Sequence, residues 1–220
     1  MSTLLLRFAA PMQSWGVDSK FDLRNTGRTP SKSGVVGFCA SALGYRRDED
    51  DKIAKLTDLK FGVRTDKAGV LMRDFHTAKS EKAAYVTTRY YLSDAAFLVG
   101  LEGDEDFLHE IDTAVRAPAF PLYLGRRSCP PEGRVSYGVV PNALLDALKT
   151  HPSIADTRSK PRIVMDTDKD GYFLRDLPLS FNPVHRKFDY HRVCEFATSI
   201  QSNTAEEHDA LAELEAMLCT

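Results

Sequence analysis

Apolar residues fall along the chain in short blocks with two different periods. TLLLRFA (3–9) is an unbroken apolar run of strand length. GVVGFCASAL (34–43) mixes apolar and small residues, which predicts a buried helix with Ser33 placed to cap its start. LKFGVRTD (59–66) alternates Leu59, Phe61 and Val63 with Lys60, Gly62 and Arg64, the period of a half-buried strand. SDAAFLVGLE (93–102) predicts another strand, and DEDFLHEIDTAVR (104–116) a helix whose first-turn acids suit the macrodipole. PLYLG (121–125) and RVSYGVV (134–140) follow as strands. The order β-α-β-β-α-β is that of the split ferredoxin-like unit, an α+β fold whose open sheet face commonly carries RNA.

Beyond Pro141 the pattern loosens. NALLDALKT predicts a short helix, HPSIADTRSKP a linker, and RIVMDTDKDGYFLRDLPLSF a hairpin turning at residues 169–171. TAEEHDALAELEAML repeats Ala and Leu at helical spacing behind Thr204, which predicts a terminal helix.

Composition narrows the field little. The 220-residue chain carries a formal net charge of -2 and 43% hydrophobic residues, ordinary globular values. A balance so near neutral excludes a uniformly basic coat but leaves room for a local basic patch. Cys39, Cys129, Cys194 and Cys219 lack paired metal-ligand spacing and suit reduced thiols in a cytoplasmic protein. His185 and His191 have no third ligand in view, so neither a metal nor another cofactor is expected. TLLLRFAAP is interrupted by Arg7 and stopped by Pro11, too short for a membrane span.

Charge placement changes the picture. Lys20, Arg24, Arg28, Lys32, Arg46 and Arg47 crowd residues 20–47 against Asp22 alone, while acids gather at 102–112 and 206–215. RNTGRTPSKSGVVGFCASALG (24–44) is no Walker loop, because Ser31 instead of glycine precedes Lys32 and Pro30 removes an amide. What remains suits a phosphodiester: Arg28 and Lys32 as cations, Thr29 and Ser33 as hydroxyls, and helix-start amides at Ser33 and Gly34. LMRDFHTAKSEKAAYVTTRYYLSD (71–94) interleaves Arg73, His76, Lys79, Lys82 and Arg89 with Phe75, Tyr85, Tyr90 and Tyr91, as backbone grip with base stacking requires. YLGRRSCPP (123–131) presents Arg126 and Arg127 on a tight turn. Each stretch alone reads as an exposed loop; the three together point to RNA.

LLLRFAAPMQSWG, TGRTPSKSGVVGFCASALG, LMRDFHT, RYYLSDAAFLV and YLGRRSCPP occur in that order over residues 3–140. Together they resemble the CasD family, the fifth-family Cas subunits (RAMP superfamily) of type I-E CRISPR Cascade. FNPVHRKFDYHRV (181–193) is similar to the family's C-terminal segment. The resemblance implies a ferredoxin-like, RAMP-type palm over residues 1–141, with a β-hairpin thumb inserted at about 70–91. A smaller β-rich extension with a terminal helix would occupy residues 142–220. The implied function is a non-catalytic subunit that caps the 5′ handle of CRISPR RNA. Such a subunit would join the Cascade backbone subunits to the large PAM-recognising subunit, with no membrane partner. By motif, the implied handle-binding positions are Gln13, Trp15, Arg28, Lys32, Ser33, Arg73, His76, Arg89, Arg126 and Arg127.

Other roles stay open for several of these. Trp15 suits a core plug, His76 a bridge beside Arg73 and Asp74, and Arg126 or Arg127 a grip on a neighbouring subunit. A second function is a metal-independent endoribonuclease that processes precursor CRISPR RNA, as type I-C relatives do. His76, Tyr85 and a lysine would then serve as base, acid and cation. A protein-only scaffold is disfavoured by the three basic clusters.

Overall fold

The first strand, β1 (Ser2–Gln13), is covered on both faces: Leu4, Leu6 and Phe8 are buried on one side and Leu5 on the other. An apolar run without alternation dictates this, because a half-wet strand would alternate. The computed structural model describes residues 1–16, 22–79, 84–156 and 160–199. The helix expected at 204–218 lies outside the described residues, as do Lys20, Lys82 and Cys219.

The fold is α+β, built on one large sheet. Its path is β6 (Ser136–Val140), β1, β5 (Ala84–Gly103), β3 (Lys60–Lys67), β7 (Arg162–Asp166), β9 (Lys187–Ala197) and β8 (Tyr172–Ser180). Neighbours along this path are antiparallel. Two strands lie off it: β2 (Leu23–Arg24) joins β5 in parallel, and β4 (Val70–Lys79) joins it antiparallel. β5 is the spine of the molecule. Its second half lies between β1 and β3, and its first half runs out as an arm paired with β4 from Ser93 to Ala84.

α1 (Lys32–Ala42), α2 (Asp50–Thr57) and α3 (Glu105–Arg116) cover one face of the sheet over Leu4, Phe8 and Phe97. α4 (Leu144–Thr150) covers the other, packing Leu144 and Leu148 on Leu5, Leu98 and Ile163. The sheet face expected to lie open for RNA is therefore occupied. Arg64, with 0% exposure, fixes this cover. Its guanidinium forks onto Asp66 at 2.6 and 2.7 Å and donates to the carbonyls of Leu148, His151 and Pro152 at the end of α4. Glu102 accepts the Leu144 N–H at the start of the same helix, 2.6 Å away.

Three local expectations are corrected, and one element was not foreseen. Residues 121–125 form a loop, not a strand, with Leu124 bonded to Ser14 and Cys129. β7 and β8 are not a hairpin, because β9 lies between them; turn residues specify a reversal, not which strand settles alongside. Ser31, not Ser33, caps α1, accepting the Gly34 N–H at 3.2 Å. The short helix α2, with Ile53 and Leu56 as its apolar stripe, was too brief to show a period.

A buried charge cluster joins α1 to the C-terminal strands. Lys32, only 5% exposed, sets Nζ 2.8 Å from Asp166 Oδ2, and its backbone N–H donates to Asp176 Oδ2 at 2.8 Å. Asp166 Oδ2 also accepts the Phe61 N–H of β3 at 3.0 Å. His191 spans both carboxylates, reaching Asp166 Oδ1 through Nδ1 at 2.7 Å and Asp176 through Nε2. Burial pushes the His191 pKa down, but its hydrogen bonds to Asp166 and Asp176 and their charges outweigh this and raise it to about 9. Burial likewise pushes Asp166 up, yet His191 and Lys32 hold its carboxyl below the usual range.

The cluster has a signed pH dependence. Because the folded value lies above the ordinary 6.5, protonated His191 contributes its full stability below pH 6.5 and loses it as pH rises through 9. The melting temperature should fall over that window in the wild type, while His191→Gln should be flat there and about 3 kcal/mol less stable at pH 6. Equal slopes in the two proteins contradict a charged His191.

Candidate nucleic-acid interface

The basic loops meet at the chain reversal that follows β1. The Ser14 N–H donates to Leu124 O and its hydroxyl to Tyr90 O, each at 3.1 Å, tying the 123–129 turn and the arm together. The Trp15 N–H donates to Thr26 Oγ1 at 2.8 Å and Trp15 O accepts the Gly27 N–H at 2.5 Å, which seats the loop carrying Arg28. Glycine is required at two close approaches. A Cβ on Gly125, at φ +84°, would stand 1.7 Å from Ser14 O, and one on Gly34 would stand 2.9 Å from the Trp15 ring.

Three of the motif-implied positions lie beneath this surface instead of on it. Gln13 has 0% exposure and donates to Phe8 O and Ala95 O at 3.2 and 2.8 Å. Trp15 stacks on Phe8 with centroids 5.6 Å apart. Lys32 is consumed by the charge cluster described above. All three hold in place the loops whose other residues face solvent. Ser33 is half-buried, its Oγ 3.3 Å from that of Ser31, while Arg28 and Arg127 are exposed.

The arm separates residues that the sequence set together. Side chains alternate across a strand, so register assigns each to a face. Asp74 stands opposite Arg89 and His76 opposite Thr87, on the face shared with Tyr85 and Tyr91. Arg73, opposite Tyr90, and Phe75, opposite Thr88, lie on the other face. The set Arg73, His76 and Arg89 is therefore divided; the odd spacing from 73 to 76 carries that signal once the segment is known to be a strand. His76 Nε2 lies 2.5 Å from Asp74 Oδ2, and the Arg73 guanidinium lies over the Phe75 ring at 4.5 Å.

What the fold does gather is a set of arginines at the base of the arm. β2 places Arg24 alongside Arg89. Arg126 reaches in from its turn, donating through Nη2 to Arg24 O at 3.0 Å, with its guanidinium 4.6 Å from the Tyr91 ring centre. None of the three forms an ion pair among the described residues. Arg89 Nε and Arg126 Nη1 are shielded from solvent and find no hydrogen-bond partner among the described residues, a cost that an anionic ligand can relieve. Arg24 was absent from the motif-implied set, although it stands in the same basic run; nothing in the sequence reveals its pairing with β5. Three planar cations suit phosphate contacts, and a guanidinium plane can stack on a base; Tyr91, 2% exposed, lies beneath Arg126 and supports it from the core.

The family model described as "CRISPR-associated protein (Cas_Cas5)" matches residues 3–194. The CRISPR system Cascade subunit CasD of Escherichia coli (strain K12) is 35% identical over 150 residues, which are 59% of this chain and 67% of that protein. A solved structure described as a crystal structure of a Cas protein is 38% identical with a TM-score of 0.75, covering 90% of this chain and 95% of its own. A chain of a CRISPR RNA-guided surveillance complex is 31% identical with a TM-score of 0.75, covering 90% of each chain. No described helix is long and apolar enough to cross a membrane. With the family model spanning most of its length, the chain belongs to the CRISPR-associated Cas5 family.

Proposed function

We propose that this chain is a Cascade subunit of the CasD type, which binds and caps the 5′ handle of CRISPR RNA. It joins the backbone subunits to the large PAM-recognising subunit and works in the cytoplasm. The observation that carries the RNA assignment is the convergence of Arg24, Arg89 and Arg126 beside Tyr91, none of them in an ion pair among the described residues. Asp74, the nearest acid by register, faces His76. The names of the relatives, a Cascade subunit and a CRISPR RNA-guided surveillance complex, support the assembly. The strand order β6-β1-β5-β3 with α1 and α3 on one face supports a ferredoxin-like palm, and the β4–β5 arm is its thumb. Of the exposed residues of the motif set, Arg28 and Arg127 extend the patch along its loops, while Arg73 lies on the other face of the arm.

One observation favours the nuclease alternative: His76 and Tyr85 share a face of the arm. The cation weakens it. Lys79, opposite Ala84, lies on the other face, away from the pair it would have to serve. The non-catalytic role is the stronger reading.

Two measurements check these assignments. Arg89→Ala and Arg24→Ala should each weaken binding of repeat-derived RNA by about tenfold with nearly unchanged melting, and Arg89→Lys should not rescue a stacked guanidinium. Full rescue by lysine reduces Arg89 to a point charge, and normal binding in all three removes the patch. Separately, the purified chain should leave repeat RNA intact with or without divalent metal. Multiple-turnover cleavage that His76→Ala abolishes transfers the function to the endoribonuclease reading.

A further inference from the structure

A cleft of about 330 Å³ opens over α1, reached from the arginine patch through the turn before Arg126, since Tyr123 and Gly125 line it. That volume falls at the lower end of the ~300–1,000 Å³ typical of small-ligand sites. The room comes from glycine: a Cβ on Gly37 would meet nothing closer than the Phe181 ring at 3.8 Å. The walls are aromatic. Tyr45 and Tyr123 line the cleft together with Phe181 and Phe188, whose rings meet edge to face at 6.4 Å.

The rim is cationic. Arg46, Arg47 and Arg186 line the cleft, all three exposed and without an ion pair among the described residues. Among the described residues no aspartate or glutamate lines it. In a chain with a formal net charge of -2, three arginines thus line one cavity with no acid among the described lining residues. A neutral apolar ligand would leave the guanidinium groups unused, and an acidic peptide would leave the aromatic walls without a stacking partner. A nucleotide uses both.

We propose that this cleft receives one unpaired nucleotide of the bound RNA, its base among Tyr45, Tyr123, Phe181 and Phe188 and its phosphate on Arg46, Arg47 or Arg186. The assignment rests on the RNA-binding reading above and says where a single nucleotide leaves the backbone track laid by Arg24, Arg89 and Arg126. Gly125 joins the two sites, because it permits the 123–129 turn to pack on Ser14 while Tyr123 faces the cleft and Arg126 the patch.

The test uses the full chain, repeat-derived single-stranded RNA, and a series of that RNA with one base removed at each position in turn. Trp15, the one tryptophan of the chain, lines the cleft and reports occupancy by its fluorescence. In the wild type, binding should change that fluorescence, and one abasic position should weaken binding about tenfold. Gly37→Leu, which fills the cleft and favours the helix, and Arg186→Ala/Phe188→Ala should both lose sensitivity to that position. Arg89→Ala should weaken every RNA of the series while keeping the discrimination. An abasic profile that is the same in the wild type and both cleft variants, with RNA still bound, overturns the cleft assignment and leaves the patch standing. A wild type that binds no repeat RNA overturns the patch reading and the cleft assignment together.

Discussion

Buried Lys32 and His191 meet half-buried Asp166 and Asp176 where α1 joins the C-terminal strands, and the rest of the molecule is oriented by that contact. An ionised group inside a protein is costly unless each charge finds a partner, and here two cations meet two carboxylates. The cluster fixes the start of α1 against β7, β8 and β9. From α1 the constraint passes to Trp15, which packs against Gly34, and from the neighbouring Ser14 to the 123–129 turn and the arm. The basic loops are thus held by interior residues that never reach the surface.

The second constraint is the length of β5. One strand runs from the exposed Ala84 to the buried Leu101, so Arg89 is mechanically part of the same element that carries Phe97 and Leu98 in the core. A cation on such a strand is positioned more firmly than one on a loop, and β2 and Arg126 add to it from two directions. With α4 covering the far side of the sheet through Arg64 and Glu102, the basic surface is displaced to the base of the arm and the rim of α1.

Much of this was legible in the sequence where the signal was local. The apolar run at 3–9, the alternation at 59–66 and the acid-first helix at 104–116 appear as β1, β3 and α3, with boundaries shifted by a few residues. Non-local pairing was not legible. Nothing in RIVMD or YFLRDLPLS says that β9 will come between them, and the polar arm hid its continuity with β5. Among candidate ligand residues, motif and charge found the loops but could not sort faces. Lys32 looks like a free cation until Asp166 and His191, far away in the chain, are brought beside it. Arg24 and the cleft residues Tyr45, Tyr123, Phe181 and Phe188 went unselected for the same reason.

The central claim is that RNA lies on the Arg24, Arg89 and Arg126 side of the arm's base. Ultraviolet crosslinking of repeat-derived RNA to the purified chain, with the adducts located by mass spectrometry, tests it most directly. Adducts concentrated at Arg24, Arg89 and the 123–129 turn are the expected result. Adducts confined to Arg73, Phe75 and Tyr90, or to the surface of α4, would place the RNA on the wrong side of the arm or the wrong face of the sheet and contradict the account.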